Sequence, residues 1–222
     1  MKKWIFTSFA TLLAAGWLAA QVGFHGGFGS FRSSAWIDAV EVRTGGSLNN
    51  PSGWYAGVDY WFRLQKKRIE FNAALLRGRY TTALSQGGEL GIAQWSALVF
   101  ANVYPFDFGS DCYCPTWSKS GDPFAKGFFL QVFAGASHLD KSVRHPQLEL
   151  DHAQWLPVAG AGVGLDVGVS ELLTLTPLVR YGWMPGARWP GLDEGGKEDQ
   201  RITAGMLWAG VRVGFRFDKR RF

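Results

Sequence analysis

The 222-residue sequence predicts an all-β fold in which eight antiparallel strands run up and down and close into a barrel. Two observations carry this prediction. Apolar residues recur at every second position through most of the chain, and aromatic residues (15%) and glycines (29) are abundant. Alternation with a period of two is typical of strands that have one apolar face. Glycine-punctuated strands with aromatic ends are typical of barrels.

The strands follow from this alternation. In the last of them, Val211 and Val213 lie on either side of Arg212, so one face is apolar and the other is small or charged. The same pattern places the eight strands at 22–31, 54–64, 69–75, 95–103, 128–136, 155–169, 173–183 and 206–217.

The links between the strands differ in length. The links after the first, third, fifth and seventh strands are long and polar, and cover 32–53, 84–93, 141–154 and 187–203. The links after the second and sixth strands are short, at 65–68 and 170–173. Since alternate links of an up-and-down barrel emerge at the same end, we expect the long links together at one end, the loop end.

The length and the faces of the strands indicate what surrounds the barrel. Most strands have nine or more residues, enough to cross a bilayer when tilted, and a closed barrel leaves no backbone group unpaired in lipid. The apolar face is therefore expected outside, in a transmembrane barrel. The alternative is a secreted barrel of lipocalin type with its apolar side inward, but its outer face along 155–169 would be largely glycine. Tryptophans near the strand ends favour the transmembrane barrel.

The polar face then fills the interior. A barrel of eight strands has an interior just wide enough to be packed with side chains. The short link at 65–68 places Arg63 across from Glu70, which predicts an ion pair between them. The predicted interior network comprises His25, Asp59, Arg63, Glu70, Asn72, Gln131, Asp166, Arg180, Arg212 and Arg216.

The first twenty residues have the features of a signal peptide. Lys2 and Lys3 precede an uncharged, mostly apolar run that ends in a pair of alanines, which predicts Sec-type export and cleavage before Gln21. The mature barrel domain is then 21–222, and a retained membrane anchor is the alternative. Removal of the two lysines lowers the formal charge from +5 to +3, too little to indicate a nucleic-acid partner.

These features together resemble a known family. The export segment, the eight alternating strands, the alternating long and short links and the aromatic end of the last strand are similar to the small outer-membrane β-barrels, such as the OmpX-type proteins and the OmpA transmembrane domain. The resemblance covers residues 21–222. It implies a protein of the Gram-negative outer membrane, with outer-membrane lipid, lipopolysaccharide and other envelope proteins as candidate partners. It also implies a C-terminal aromatic that the barrel-assembly machinery reads, with Phe215, Phe217 and Phe222 as candidates.

Few residues suggest a catalytic, redox or metal-binding role, and no cofactor is expected. Cys112 and Cys114 lie in the link between the fourth and fifth strands. In an oxidising compartment two cysteines suggest a disulfide, although a bridge across one residue is strained. A pair of free thiols, a redox role and a metal role stay open. Ser137 and His138 resemble a nucleophile beside a base, but neighbours on a strand point to opposite faces, so no catalytic residue is assigned.

The sequence therefore predicts a non-enzymatic barrel that acts through its long loops as a binding or structural envelope protein, or as an accessory subunit of an outer-membrane complex. The alternative is a lipid-modifying enzyme of the lipid A deacylase or acyltransferase type. A narrow, porin-like pore is a third option, against which the charged interior argues.

Overall fold

The computed structural model describes residues 21–64, 68–107, 127–170, 172–192 and 202–215, with only the backbone of residues 63 and 107. Several predictions concern residues outside these ranges and stay predictions. They are the export segment 1–20, Cys112, Cys114, Arg216, Phe217 and Phe222.

Strands make up most of the described chain, and one α-helix lies at the loop end. The strands are β1 (Val22–Arg32), β2 (Ser52–Arg63), β3 (Ile69–Ala83), β4 (Glu89–Val103), β5 (Phe128–His145), β6 (Leu148–Leu165), β7 (Val167–Gly168), β8 (Leu173–Ala187) and β9 (Ile202–Phe215). Helix α1 spans Ser34–Thr44, and a single 3₁₀ turn spans Pro105–Asp107.

The strands form a closed barrel. From β1 to β6 each strand pairs antiparallel with the next, β8 pairs with β9, and β9 returns to pair with β1. The ring is completed between β6 and β8, from Ala159↔Trp183 to Gly164↔Leu178. β7 continues β6 after a break at Asp166 and also pairs with β8. The predicted fold, an eight-stranded antiparallel barrel, is therefore confirmed.

The outward face of the barrel is apolar and the inward face is buried. In β9, Val211 is 38% exposed whereas its neighbour Arg212 is 6% exposed, so the arginine points inside. The assignment of the two faces from the sequence is confirmed. Outward residues that are 45% to 58% exposed include Phe24, Val58, Leu75, Val99, Val132, Val163 and Val179.

Aromatic residues border this apolar surface at two levels. Toward the opposite, terminal end, where β1 begins and β9 ends, Tyr60, Phe62 and Phe106 are exposed. Toward the loop end, exposed tryptophans form what we call the aromatic girdle: Trp54, Trp95, Trp155 and Trp183. Two aromatic bands around an apolar belt are the pattern of barrels that cross an outer membrane.

The link expected at 141–154 is not a loop, and that prediction was wrong. β5 and β6 continue through it as one hairpin with a turn at 146–147. On its outward face Arg144 contacts Glu149 at 3.2 Å and Asp151 at 2.7 Å. The charged side chains that suggested a polar loop form cross-strand pairs. The hairpin extends the barrel wall beyond the aromatic girdle.

The first long link also differs from the expected polar loop. Helix α1 within it places Trp36, Val40 and Thr44 at four-residue spacing on one buried face. The Trp36 ring stacks on Phe31 of β1, with 5.5 Å between the centroids. The helix ends at Gly45, whose left-handed φ of 68° suits glycine. α1 therefore belongs to the buried core at the loop end.

Candidate functional site

Polar side chains form a hydrogen-bonded chain across the barrel interior. Its centre is Asp59, whose two carboxylate oxygens accept hydrogen bonds of 2.7 Å from Arg212, while His25 Nε2 lies 2.7 Å from Oδ2. A bidentate arginine–carboxylate pair is among the stronger side-chain interactions. We call the whole chain the polar belt, and its members are His25, Asp59, Asn72, Asn102, Gln131, Arg180 and Arg212, each 6% exposed or less.

The polar belt continues strand by strand from β2 to β8. Asn72 donates to Asp59 at 3.4 Å, and Asn102 donates to Asn72 at 3.4 Å. Gln131 donates to Asn102 at 2.5 Å, and Arg180 donates to Gln131 at 2.6 Å. The belt thus ties the strands together from inside, in addition to the backbone ladder.

Two glycines make room for the polar belt where it passes over β1 and β6. A Cβ added to Gly23 would lie 2.3 Å from Asp59 Oδ2 and 2.7 Å from Arg212 Nε. Gly162 is the register partner of both Gln131 and Arg180. A Cβ added to Gly162 would lie 2.9 Å from Arg180 Cγ. Both crossings therefore need a residue without a side chain.

A second polar cluster lies nearer the terminal end. The Tyr104 hydroxyl lies 2.8 Å from Glu70 Oε2 and 2.6 Å from Asp166 Oδ2, and Thr176 donates to Asp166. The Tyr104 hydroxyl therefore bridges the two buried carboxyl groups. Arg63 is the register partner of Glu70, as expected. Their ion pair stays a prediction.

Aromatic rings fill the interior on the loop-end side of the polar belt, and this aromatic layer was not predicted from the sequence. Phe133 lies between Phe100 and Trp208, with centroids 5.3 Å and 5.9 Å away. Trp208 Nε1 donates to the Tyr80 hydroxyl at 3.1 Å, and Arg180 Cζ lies 4.2 Å from the Phe100 centroid. The inward parity of Phe133, on the same face as Gln131, was the signal in the sequence that reveals this layer.

An apolar cluster with one buried lysine closes the loop end. Lys141 is 0% exposed, and its Nζ donates to Gln154 Oε1 at 3.2 Å and to the Arg188 carbonyl. It also lies 4.4 Å from the Trp36 ring centroid. Burial lowers the pKa of Lys141 from 10.5 to about 7. We call the apolar part the mouth cluster, and it includes Phe31, Trp36, Val40, Leu90, Ile92, Leu139, Val143, Met184, Trp189 and Leu192.

Ser137 and His138 do not come together. Ser137 points inward, where its hydroxyl lies 2.8 Å from that of Ser96 and accepts a hydrogen bond of 3.2 Å from Gln94. His138 lies on the outer face, with its ring centroid 5.1 Å from that of Trp155. The expectation that these neighbours face apart is confirmed. Among the described residues, no group of three His, Cys, Asp or Glu side chains could hold a metal ion.

The architecture defines a class: a closed eight-stranded antiparallel barrel with an apolar outward belt and an interior filled by side chains. Within the described ranges, no helix is long and apolar enough to span a bilayer. The chain matches no protein-family profile and no curated protein.

Several solved structures of outer-membrane barrels are similar to the chain. Neisserial surface protein A has a TM-score of 0.47 and 19% identity, over 88% of this chain and 97% of that one. Ail, the attachment invasion locus protein of Yersinia pestis, has a TM-score of 0.45 and 10% identity, over 90% and 98%. The outer membrane protease OmpT from Escherichia coli has a TM-score of 0.43 and 8% identity, over 90% and 97%.

Proposed function

We propose that this protein is a non-enzymatic integral barrel of the outer membrane, with a sealed interior and a loop end that binds other components of the cell envelope. It acts as a structural or binding protein, or as an accessory subunit of a larger complex. One observation carries the proposal. The outward face is an apolar belt between aromatic bands, while the described interior is packed with buried side chains.

The apolar belt on the outward face supports the proposed membrane location. Leu75 and Val132 are each 58% exposed, and many similar residues surround them on the outward face. In water this would be a large unprotected apolar surface, which soluble monomers rarely carry. In lipid the same side chains are solvated, and below the aromatic girdle the ladder is closed by the pairing of β6 with β8, so no free sheet edge meets the acyl chains.

The packing of the barrel interior supports the proposal that the protein does not conduct ions. Three layers follow one another along the barrel: the polar belt around Asp59, the aromatic layer around Phe133 and the mouth cluster around Trp36. These three side chains are each 6% exposed or less. Eight-stranded barrels are narrow enough for such layers to fill the lumen.

Two outward arginines of β3 support contact with anionic lipid. The register places Arg79 opposite Trp54 and Arg77 opposite Trp95, both tryptophans of the aromatic girdle. Arg77 and Arg79 are exposed, and Arg77 Cζ lies 5.0 Å from the Trp95 ring centroid. Basic side chains at a membrane surface attract anionic headgroups. Lipopolysaccharide or another phosphorylated lipid is the partner proposed for this side of the barrel.

The test combines conductance with lipid chemistry on the folded full chain. Planar bilayers that contain the protein should show no steady open current, and a stable pore of nanosiemens size would overturn the sealed interior. Mass spectrometry of lipid A incubated with the protein should show an unchanged number of acyl chains, and a gained or lost chain would overturn the non-enzymatic proposal. Folding is verified by gel mobility, because a closed barrel without free edges resists SDS until it is boiled.

A further inference from the structure

The barrel wall has an opening between β6 and β8. Their ladder runs from Gly164↔Leu178 to Ala159↔Trp183 and stops there. The same register, continued by two residues, brings Pro157 opposite Pro185. Proline has no N–H to donate to a ladder, so these two residues cannot extend the pairing. The wall therefore opens just beyond Trp183, on the loop-end side.

Polar contacts close the wall again above the opening. The backbone N–H of Arg188 donates to Gln154 Oε1 at 3.1 Å. The Lys141 ammonium donates to Gln154 Oε1 and to the backbone carbonyl of Arg188. The opening is therefore bounded at both ends. We call it the lateral window, formed by residues 155–158 of β6 and 184–187 of β8.

The lateral window contains a shallow, open cleft of about 670 Å³. Its lining is mostly apolar and includes Trp155, Pro157, Pro185 and Ile202, with Arg188 as the charged member. Trp155 and both prolines are exposed on the outward face of the barrel. The cleft is thus reached from the side on which the apolar belt lies.

The height of the lateral window indicates its surroundings. Trp155 lines it and Trp183 lies directly below it, and both belong to the aromatic girdle. Girdle tryptophans lie at the boundary between acyl chains and headgroups. An occupant of the cleft at this height meets acyl chains on one side and headgroup phosphates on the other.

We infer that the lateral window binds one anionic phospholipid of the surrounding leaflet. An acyl chain lies against Pro157, Pro185 and Ile202, and the lipid phosphate lies at the Arg188 guanidinium. The apolar lining matches the chain, and the positive charge matches the phosphate. This inference rests on the proposed membrane location and adds a specific lipid site to it.

The experiment measures lipid retained by the folded full chain. Protein in dodecyl maltoside micelles with either dioleoylphosphatidylglycerol or dioleoylphosphatidylcholine is analysed by native mass spectrometry. The wild type should retain one phosphatidylglycerol several-fold more often than phosphatidylcholine. Arg188→Gln should abolish this preference. Arg144→Gln removes an exposed arginine of the β5–β6 hairpin and should leave the preference unchanged.

A second variant tests the acyl part of the site. Pro157→Val combined with Pro185→Val supplies both missing N–H groups, extends the ladder and should lower retention of both lipids several-fold. Wild-type retention in this variant and in Arg188→Gln would overturn the inference. Millimolar inorganic phosphate should not release the lipid, and full release would show a phosphate site without an acyl component.

The readouts separate this inference from the proposed function. Gel mobility before and after boiling establishes that each variant is folded. Failure of the folded wild type to insert into lipid vesicles would refute the membrane location. Insertion without lipid retention in micelles would refute the lateral window alone.

Discussion

The Arg212 guanidinium donates to both oxygens of the Asp59 carboxylate at 2.7 Å, across the intervening strand β1. The two residues are 153 positions apart in the chain, so this contact joins β9 to β2 from inside the barrel. The path passes over Gly23, where a Cβ would lie 2.3 Å from the carboxylate. The stability of the barrel should therefore depend on that glycine.

Gly23→Ala should lower the free energy of unfolding by about 1–3 kcal/mol, the usual effect of inserting a methyl group into a filled interior. The matched control is Gly26→Ala on the same strand, where an added Cβ meets nothing within 4 Å. It should change stability by no more than about 0.5 kcal/mol. Urea unfolding in lipid vesicles, followed by tryptophan fluorescence, measures both variants. Equal effects would contradict a polar belt that passes over Gly23.

Removing one partner of the Asp59–Arg212 pair should lower the free energy of unfolding more than replacing both partners. Asp59→Asn leaves Arg212 buried without its carboxylate, which should destabilise the barrel by about 3–5 kcal/mol. The double change Asp59→Leu with Arg212→Met should recover part of this loss. Asp151→Asn disrupts the exposed pair with Arg144 and should destabilise the barrel far less, because solvent screens an exposed ion pair. A double variant as unstable as Asp59→Asn would mean that the buried charge of Arg212 is not the source of the loss.

A lysine scan distinguishes lipid from water on the outward face. Val132 of β5 and Val42 of α1 are similarly exposed, at 58% and 64%. Val132→Lys should cost about 2–4 kcal/mol if the side chain meets acyl chains near the bilayer midplane. Val42→Lys, at the loop end, should be nearly neutral. Folding yields into vesicles at graded urea concentrations give both values, and equal values would place the two valines in the same solvent.

The alternating pattern was sufficient to predict the fold and the orientation of single residues. Once the apolar face is assigned outward, a period of two fixes where every strand residue points. This is why the inward positions of Arg180 and Arg212 followed from the sequence. The register of Arg63 with Glu70 followed as well, because a short link leaves few alternatives.

Contacts between elements that are distant in the chain could not be predicted from the sequence. The hydrogen bond from Arg180 to Gln131 needs the register on both sides of Gly162, and no local pattern contains it. The burial of Lys141 in β5 depends on Trp36, which lies in helix α1 more than a hundred residues earlier. Its charge, next to the charges of the β5–β6 hairpin, indicated a solvated loop instead.

Lys141 lies beyond the aromatic girdle and should make the stability of the loop end depend on pH. Burial lowers its pKa from 10.5 to about 7. Between these values the unfolded chain binds a proton that the folded chain does not, so stability should rise with pH. The slope for one proton is at most about 1.4 kcal/mol per pH unit. The loss of unfolding free energy caused by burying the Lys141 charge is fully present below pH 7 and disappears above pH 10.5.

Lys141→Met should remove this slope, because methionine fills the same space without a titrating group. His152 faces Lys141 across the hairpin, and burial lowers its pKa below 6.5, so it does not titrate in the same range. Arg144→Gln is the control, since arginine stays charged throughout, and it should retain the wild-type slope. Unfolding free energies in vesicles between pH 7 and 10 give the comparison. An identical slope in the wild type and in Lys141→Met would show that the ammonium is not buried in the mouth of the barrel.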